Sequence, residues 1–141
     1  MVSNKCEYAL RAVFELARHR GQQSMKGQEI ASAQGIPPRF LEVILVELKN
    51  AGFVLAKRGS SGGYVLARPP REITVGQVID LFQGSPQVDV TDREHPGGYT
   101  LARLWERVHS AVSEVYDETT FEDLVEQEVL RMCAGVPDYV I

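Results

Sequence analysis

Residues 24–67 read SMKGQEIASAQGIPPRFLEVILVELKNAGFVLAKRGSSGGYVLA, and this stretch decides the fold. Ser24 suits the N-cap of a short helix through Ile30 and Ala33, and Gly35 supplies the positive-φ residue that breaks it. Pro37 and Pro38 sit where a new helix can begin, since N–H groups of a first turn have no intrahelical partner to lose. The spacing carries that helix to Gly52. Residues 53–57 and 64–67 are short β-prone runs flanking Arg58-Gly59-Ser60-Ser61-Gly62-Gly63, a glycine-rich hairpin loop. A short helix, a three-residue turn, a second helix and a hairpin make a winged helix-turn-helix.

Charge agrees with that outline. Residues 1–71 carry eleven Lys/Arg against five Asp/Glu, net +6, and residues 72–141 carry four against fourteen, net −10. A basic half on a chain whose whole is −4 points to one face that meets a polyanion, with nucleic acid the first candidate.

Outward from the motif, residues 3–20 follow a helical period ended by Gly21. Past Pro69-Pro70, Thr74 can cap a helix with Val75, Val78, Ile79 and Phe82 on one face. Residues 84–98 are rich in turn formers and read as a loop. Leu101, Leu104, Trp105, Val108, Val112 and Val115 then recur at i, i+3, i+4, i+7 spacing on a long helix. A winged domain of this size cannot cover all of that stripe, so it is assigned to dimerisation. A last helix, about 119–133, is expected to open on a capping box of Thr119 with Glu122 and to stop near Gly135 and Pro137. The expected division is a DNA-binding domain 1–83, a loop 84–98, dimerisation helices 99–134 and an extended tail 135–141. The fold class is mainly α with one small β-hairpin.

On the second helix of the motif, Leu41, Ile44, Leu45 and Leu48 share the side that should pack inward. Arg39, Val43, Val46 and Asn50 point the other way, with Glu42 on the flank. In a major groove Arg39 can reach guanine or phosphate, Glu42 can accept from cytosine N4, and Val43 can touch a thymine methyl. Arg58, at the base of a small-residue loop, suits a narrow minor groove, and Lys57 suits a phosphate. The glycines serve hairpin geometry and close approach alike. The expected DNA-binding set is Ser24, Lys26 and Gln28; Arg39, Glu42, Val43 and Lys49; and Lys57, Arg58, Gly59, Ser60, Ser61, Gly62, Gly63 and Tyr64.

Other chemistry finds little to stand on. His19, His95 and His109 form no metal-ligand spacing, and no nucleophile-base arrangement or phosphate loop occurs, so no catalytic or metal site is expected. Cys6 and Cys133 lie at opposite ends of the chain and read as inert thiols or, alternatively, as redox reporters. No stretch approaches the ~18 apolar residues of a membrane span, and MVSNKCEYALR has no signal-peptide pattern, so a cytoplasmic protein is expected.

Tyr8-Ala9-Leu10-Arg11, Ile30-Ala31, Phe40-Leu41-Glu42, Leu48 with Ala51-Gly52, Arg58-Gly59 before Gly62-Gly63-Tyr64, and Ile73-Thr74 occur in an order that resembles the Rrf2 (Rrf-two) family of winged-helix transcription regulators. The resemblance implies a homodimer that clamps palindromic double-stranded DNA, with Arg39, Glu42 and Val43 on base-reading positions. Val43 stands where glutamine is frequent in relatives, so the operator is left open. Many relatives hold an iron-sulfur cluster through three cysteines in the loop before the long helix; residues 84–98 contain none, and no cluster or other cofactor is expected.

The second half, with Leu104-Trp105, Ala111-Val112, Glu114-Val115 and the run Thr119-Thr120-Phe121-Glu122-Asp123-Leu124, resembles the family's cysteine-metabolism repressors (CymR-like), which work with cysteine synthase as co-repressor. Asp138-Tyr139-Val140-Ile141 also looks like the C-termini by which serine acetyltransferases dock into cysteine synthase. The reading at this stage is a repressor of cysteine or sulfur metabolism with that enzyme on its tail. Two alternatives stay open: a regulator that senses a small molecule or thiol oxidation directly, and a winged-helix module used only for protein contacts.

Overall fold

The computed structural model describes residues 2–19, 24–60, 62–84 and 94–135. The first helix, α1 (Asn4–Arg18), is capped by Ser3, whose hydroxyl accepts from the Cys6 N–H at 3.1 Å. Its buried face is rich in alanine: Ala9, Ala12 and Ala17 alternate with Val13 and Leu16. Side chains this small let four helices approach one, and α1 is the post on which the others pack.

Those others are α2 (Gly27–Gln34), α3 (Pro38–Asn50), α4 (Val75–Gln83) and α6 (Phe121–Ala134), with α5 (Gly98–Glu118) packed on α4. Gly35, at φ 63°, ends α2 in the left-handed conformation that only glycine adopts cheaply. Pro38 opens α3 and Leu41, Ile44, Leu45 and Leu48 are its buried residues, as the sequence spacing requires. Strands β1 (Val54–Lys57) and β2 (Gly63–Leu66) pair antiparallel, from Val54 opposite Leu66 to Lys57 opposite Gly63. This is the winged helix expected from the sequence, mainly α with one hairpin.

Two expectations about helix ends are corrected. The N-cap position of α2 is Lys26, whose N–H is accepted by the Glu29 carboxylate at 3.4 Å, and not Ser24. Ser24 precedes Met25, whose backbone is engaged elsewhere: Met25 and Tyr64 exchange hydrogen bonds of 3.0 and 2.7 Å, adding a one-residue third strand to the wing. The cap of α6 is Thr120 with Asp123, one residue later than Thr119 with Glu122. Thr119 instead donates its hydroxyl to the Val115 carbonyl at 2.7 Å. An antiparallel bridge between Thr74 and Thr120, through Val75 N–H to Thr119 O and Phe121 N–H to Ile73 O, fixes the register. A short 3-10 helix, Pro70–Glu72, leads into α4, where Thr74 is the cap as expected.

Residues 99–134 are expected to be dimerisation helices, and part of α6 also packs on the winged domain. Phe121 and Val125 are buried in the same core as Ala9, Val13, Ile30, Leu41, Ile44 and Ile73, so the first half of α6 belongs to the winged-helix core. Sequence periodicity shows that a helix has an apolar stripe and not what the stripe packs on. One polar side chain is buried with this core: Glu15, whose carboxylate accepts from Arg18 at 3.2 Å and from Gln34 at 3.2 Å, joining α1 to α2. A buried carboxylate so satisfied costs little, whereas an unpaired one would cost several kcal/mol, on the order of the whole fold's margin. Gly21, most of the loop 84–98, Pro137 and the tail fall outside the described residues. No helix among the described residues is long and apolar enough to cross a membrane.

Candidate nucleic-acid interface

Burial of one side of α3 in the core leaves the other side in solvent. Arg39, Glu42, Val43, Val46, Lys49 and Asn50 are all exposed, Val43 and Val46 more than half so. Two β-branched apolar residues on a solvated helix face are left uncovered by the described residues. They are what a groove with thymine methyls accommodates.

The elements beside α3 bring further sequence-nominated residues together. Lys26 and Gln28 at the start of α2, Glu42 on α3 and Tyr64 on β2 line one shallow groove of about 350 Å³. Met25–Tyr64 pairing is what holds β2 against α2 there. Gly63 makes this pairing possible, because a Cβ at its φ of 145° would overlap the Met25 carbonyl. Gly62 is fixed by the loop itself: its N–H reaches the Gly59 carbonyl at 2.9 Å, and a Cβ would lie 2.8 Å from that oxygen. Both glycines are therefore demanded by backbone approach. Lys57 at the end of β1 and Arg58, Gly59 and Ser60 after it are exposed, and Ser61 lies outside the described residues. Ser24 is half-buried.

Cations divide sharply between faces. Lys5 pairs with Glu47 at 2.8 Å, Arg11 with Glu7 at 3.3 Å and Arg18 with Glu15 at 3.2 Å. Among the described residues, Lys26, Arg39, Lys49, Lys57 and Arg58 make no such pair, although Glu29 and Glu42 are nearby in sequence. These five lie on α2, α3 and the wing, where each can meet a phosphate or a base edge, while Arg71 and Arg107, which also make no such pair among the described residues, lie on the 3-10 helix and α5.

Phe40 was not nominated from sequence. It is 60% exposed on the first turn of α3, its ring 6.4 Å from that of Tyr8 on α1, at the edge of the face that carries Arg39 and Val43. An aromatic in an amphipathic repeat reads as core, and only its angular position between the buried and outer residues signals otherwise.

Away from this face, α5 buries only Ala102. Leu101, Trp105 and Val115 are each more than half exposed, Leu104 and Val108 nearly so, and Val112 is half-buried. The stripe nominated for dimerisation is thus largely uncovered within one chain. The partner-binding residues Asp138, Tyr139, Val140 and Ile141 lie outside the described residues.

Comparison with known proteins gives a consistent family. The profile of the Rrf2 family, described as iron-dependent transcriptional regulators, matches residues 2–127. The HTH-type transcriptional regulator CymR of Bacillus subtilis is 39% identical over 125 residues, covering 87% of this chain and 88% of that protein. The structure of CymR, the global cysteine regulator of B. subtilis, superposes with a TM-score of 0.82 at 38% identity, over 90% of this chain and 97% of that one. The structure of T. potens IscR gives a TM-score of 0.77 at 35% identity, over 91% and 88%.

Iron is in the family's description, and the donors of this chain do not fit an iron site. Cys6 is sealed inside α1, where burial and the neighbouring Glu7 charge push its thiol up and keep it protonated. Cys133 stands exposed on α6, at the other end of the chain, and residues 84–98 contain no cysteine. No group of three His, Cys, Asp or Glu among the described residues can hold a metal ion. Protein made and purified without oxygen is therefore expected to be colourless, with no iron or acid-labile sulfide. Stoichiometric iron that tracks with DNA affinity would overturn this reading of the donors.

Proposed function

The chain belongs to the Rrf2 family of transcriptional regulators, which are not enzymes, and from that premise we propose that it is a homodimeric repressor of cysteine-metabolism genes that reads a palindromic operator. The observation that carries the DNA half is the unpaired cation set on α2, α3 and the wing, beside α1 cations that are each neutralised. In this reading α3 enters the major groove, with Arg39 on guanine or phosphate, Glu42 on cytosine N4 and Val43 on a thymine methyl. Lys26, Gln28, Lys49 and Lys57 meet the backbone. Arg58 enters the minor groove from the wing, with Gly59, Ser60, Ser61, Gly62, Gly63 and Tyr64 carrying it there.

Arg58→Ala should weaken binding to the specific site by roughly 1–3 kcal/mol while leaving the fold alone, since the side chain is exposed. Unchanged affinity at matched salt rejects the wing assignment. Lys57→Ala should reduce specific and non-specific binding alike and flatten the salt dependence by about one unit. Sequencing the DNA bound to the protein in its own cell tests the regulon. Salt-independent behaviour towards duplex DNA would favour a protein-contact module instead.

The cysteine half rests on similarity to CymR across most of the chain, together with a loop that has no thiolates. Cysteine synthase is the proposed co-repressor, docked on Asp138-Tyr139-Val140-Ile141. Deleting Ile141 removes a side chain worth roughly 1.5–3 kcal/mol when buried, so affinity for cysteine synthase should fall at least tenfold while DNA binding holds. O-acetylserine should displace the repressor, as should a peptide ending in the same four residues, and the amidated peptide should not. Calorimetry that finds equal affinity with and without Ile141 removes the co-repressor.

Exposure of Cys133 favours one second reading, direct thiol sensing. An oxidant alone would then change DNA affinity, and Cys133→Ser would abolish the response.

A further inference from the structure

An open cleft of about 740 Å³ lies where α1, α6, the start of α4 and the end of α5 come together. Its floor is apolar: Leu10 and Phe14 come from α1, Phe121 and Leu124 from α6, Val75 from α4 and Val115 from α5. Phe121 is fully buried, and the first, second, fourth and fifth of these partly buried side chains pack on the same core, so the floor is built by the fold itself. Among the described residues of the α5 stripe, Val115 alone reaches the cleft, which therefore opens at one end of the stripe and not beneath it. The rim carries charge of both signs. Glu7 pairs with Arg11 at 3.3 Å on the α1 wall, and Glu128 with Arg131 at 2.6 Å on the α6 wall. None of the described residues proposed to meet DNA lines this cleft.

We infer that this cleft binds a small zwitterion with an apolar side chain, of the class formed by hydrophobic amino acids and short apolar peptides, and that its occupant is an effector of DNA binding. Charge complementarity selects the class. With one cation and one anion on each wall, a ligand that bears only a carboxylate or only an ammonium meets as much repulsion as attraction. A ligand that bears both can face Arg11 or Arg131 with one group and Glu7 or Glu128 with the other. Both rim pairs are partly exposed, and such pairs contribute little in solvent, so either partner can turn to a ligand. The apolar floor takes the side chain, and the volume falls within the roughly 300–1,000 Å³ usual for small-molecule sites. Coupling to DNA follows from what the walls carry. α1 is the post on which α2 and α3 pack, and Val115 lies on the helix assigned to dimerisation, so a ligand that joins them fixes the setting of α3 relative to a partner copy. For this coupling the inference rests on the DNA-binding reading above.

Calorimetry on the protein alone, with no DNA present, tests the site. Leucine or leucyl-leucine should bind with a Kd below ~1 mM, and the tighter of the two identifies the source as a free amino acid or a peptide. Isoamylamine and isocaproate, which keep the leucine side chain with one charge each, should bind at least tenfold more weakly. Arg11→Gln combined with Arg131→Gln, at partly exposed side chains, should keep the helical circular dichroism and lose at least tenfold in affinity for the better probe. That probe at saturation should change the operator affinity of the unaltered chain about fivefold or more and leave that of the double variant unmoved. No binding of either probe, equal binding of the singly charged analogues, or undiminished binding by the double variant would each overturn the site. Binding with no change in operator affinity would overturn the effector role. A double variant that sediments as a monomer would assign the cleft to a second copy and overturn the inference. A protein that binds the probe but no duplex DNA at low salt would sink the DNA reading, and the effector role with it, while the site stands.

Discussion

Trp105→Asp is expected to sediment at the mass of one chain, keep its helical circular dichroism and lose at least a hundredfold in affinity for the operator. The indole is 52% exposed in one chain and stands mid-stripe between Leu101, Leu104 and Val108, which are 52%, 42% and 47% exposed. A soluble protein seldom leaves so continuous an apolar strip bare, and a second copy of α5 is the cover that symmetry provides. A carboxylate buried against an apolar partner helix would have to be desolvated without a counter-ion, which few interfaces survive. Intrachain packing is scarcely touched, because Ala102 is the only buried residue of α5. The DNA effect follows from geometry. In the proposed dimer two half-sites about one helical turn (~34 Å) apart face two linked α3 helices, and linkage typically contributes about 10²–10⁴ in affinity. A variant that stays dimeric, or a monomer with undiminished affinity, would show that the stripe does some other job.

How far the sequence could be read depended on which interaction set each feature. α3 was legible in full, because Pro37-Pro38 mark its start and Leu41, Ile44, Leu45 and Leu48 its buried side. The outward position of Val43 and Val46 follows from the same wheel. Helix caps were less legible wherever two candidate hydroxyls stood together. Thr119 and Thr120 are equivalent in local chemistry, and the choice falls to Thr120 through its bridge to Thr74, a partner 46 residues away. Ser24 loses its cap for a similar reason, the pairing of Met25 with Tyr64. A one-residue strand has no periodicity, and its only trace in the sequence is Gly63, which hairpin geometry alone already explained. Phe40 was hidden by its type, since an aromatic beside Leu41 reads as core. The division of cations was visible only as net charge. Which cations are neutralised depends on contacts such as Lys5 with Glu47, which cross from α1 to α3.

The packing of α6 on the winged-helix core gives the largest expected effect on stability. Phe121 is fully buried, in the core that residues of α1, α2 and α3 also build. Phe121→Ala should cost about 3–5 kcal/mol, a large part of the roughly 5–15 kcal/mol that holds a domain of this size together. Urea unfolding followed by circular dichroism, at one protein concentration for both forms, measures the difference. Leu130→Ala, on the exposed side of the same helix, is the control and should stay within about 0.5 kcal/mol of the unaltered protein. Were α6 only a dimerisation arm, the order would reverse, with the exposed leucine the costlier loss at low protein concentration and the phenylalanine nearly silent. The bridge between Thr74 and Thr120 carries the consequence further. Loosening α6 frees the start of α4, and α4 packs on the α1 post that also positions α2 and α3. Phe121→Ala should therefore lower operator affinity below the temperature at which the chain unfolds, although residue 121 lies on none of the elements proposed to meet DNA.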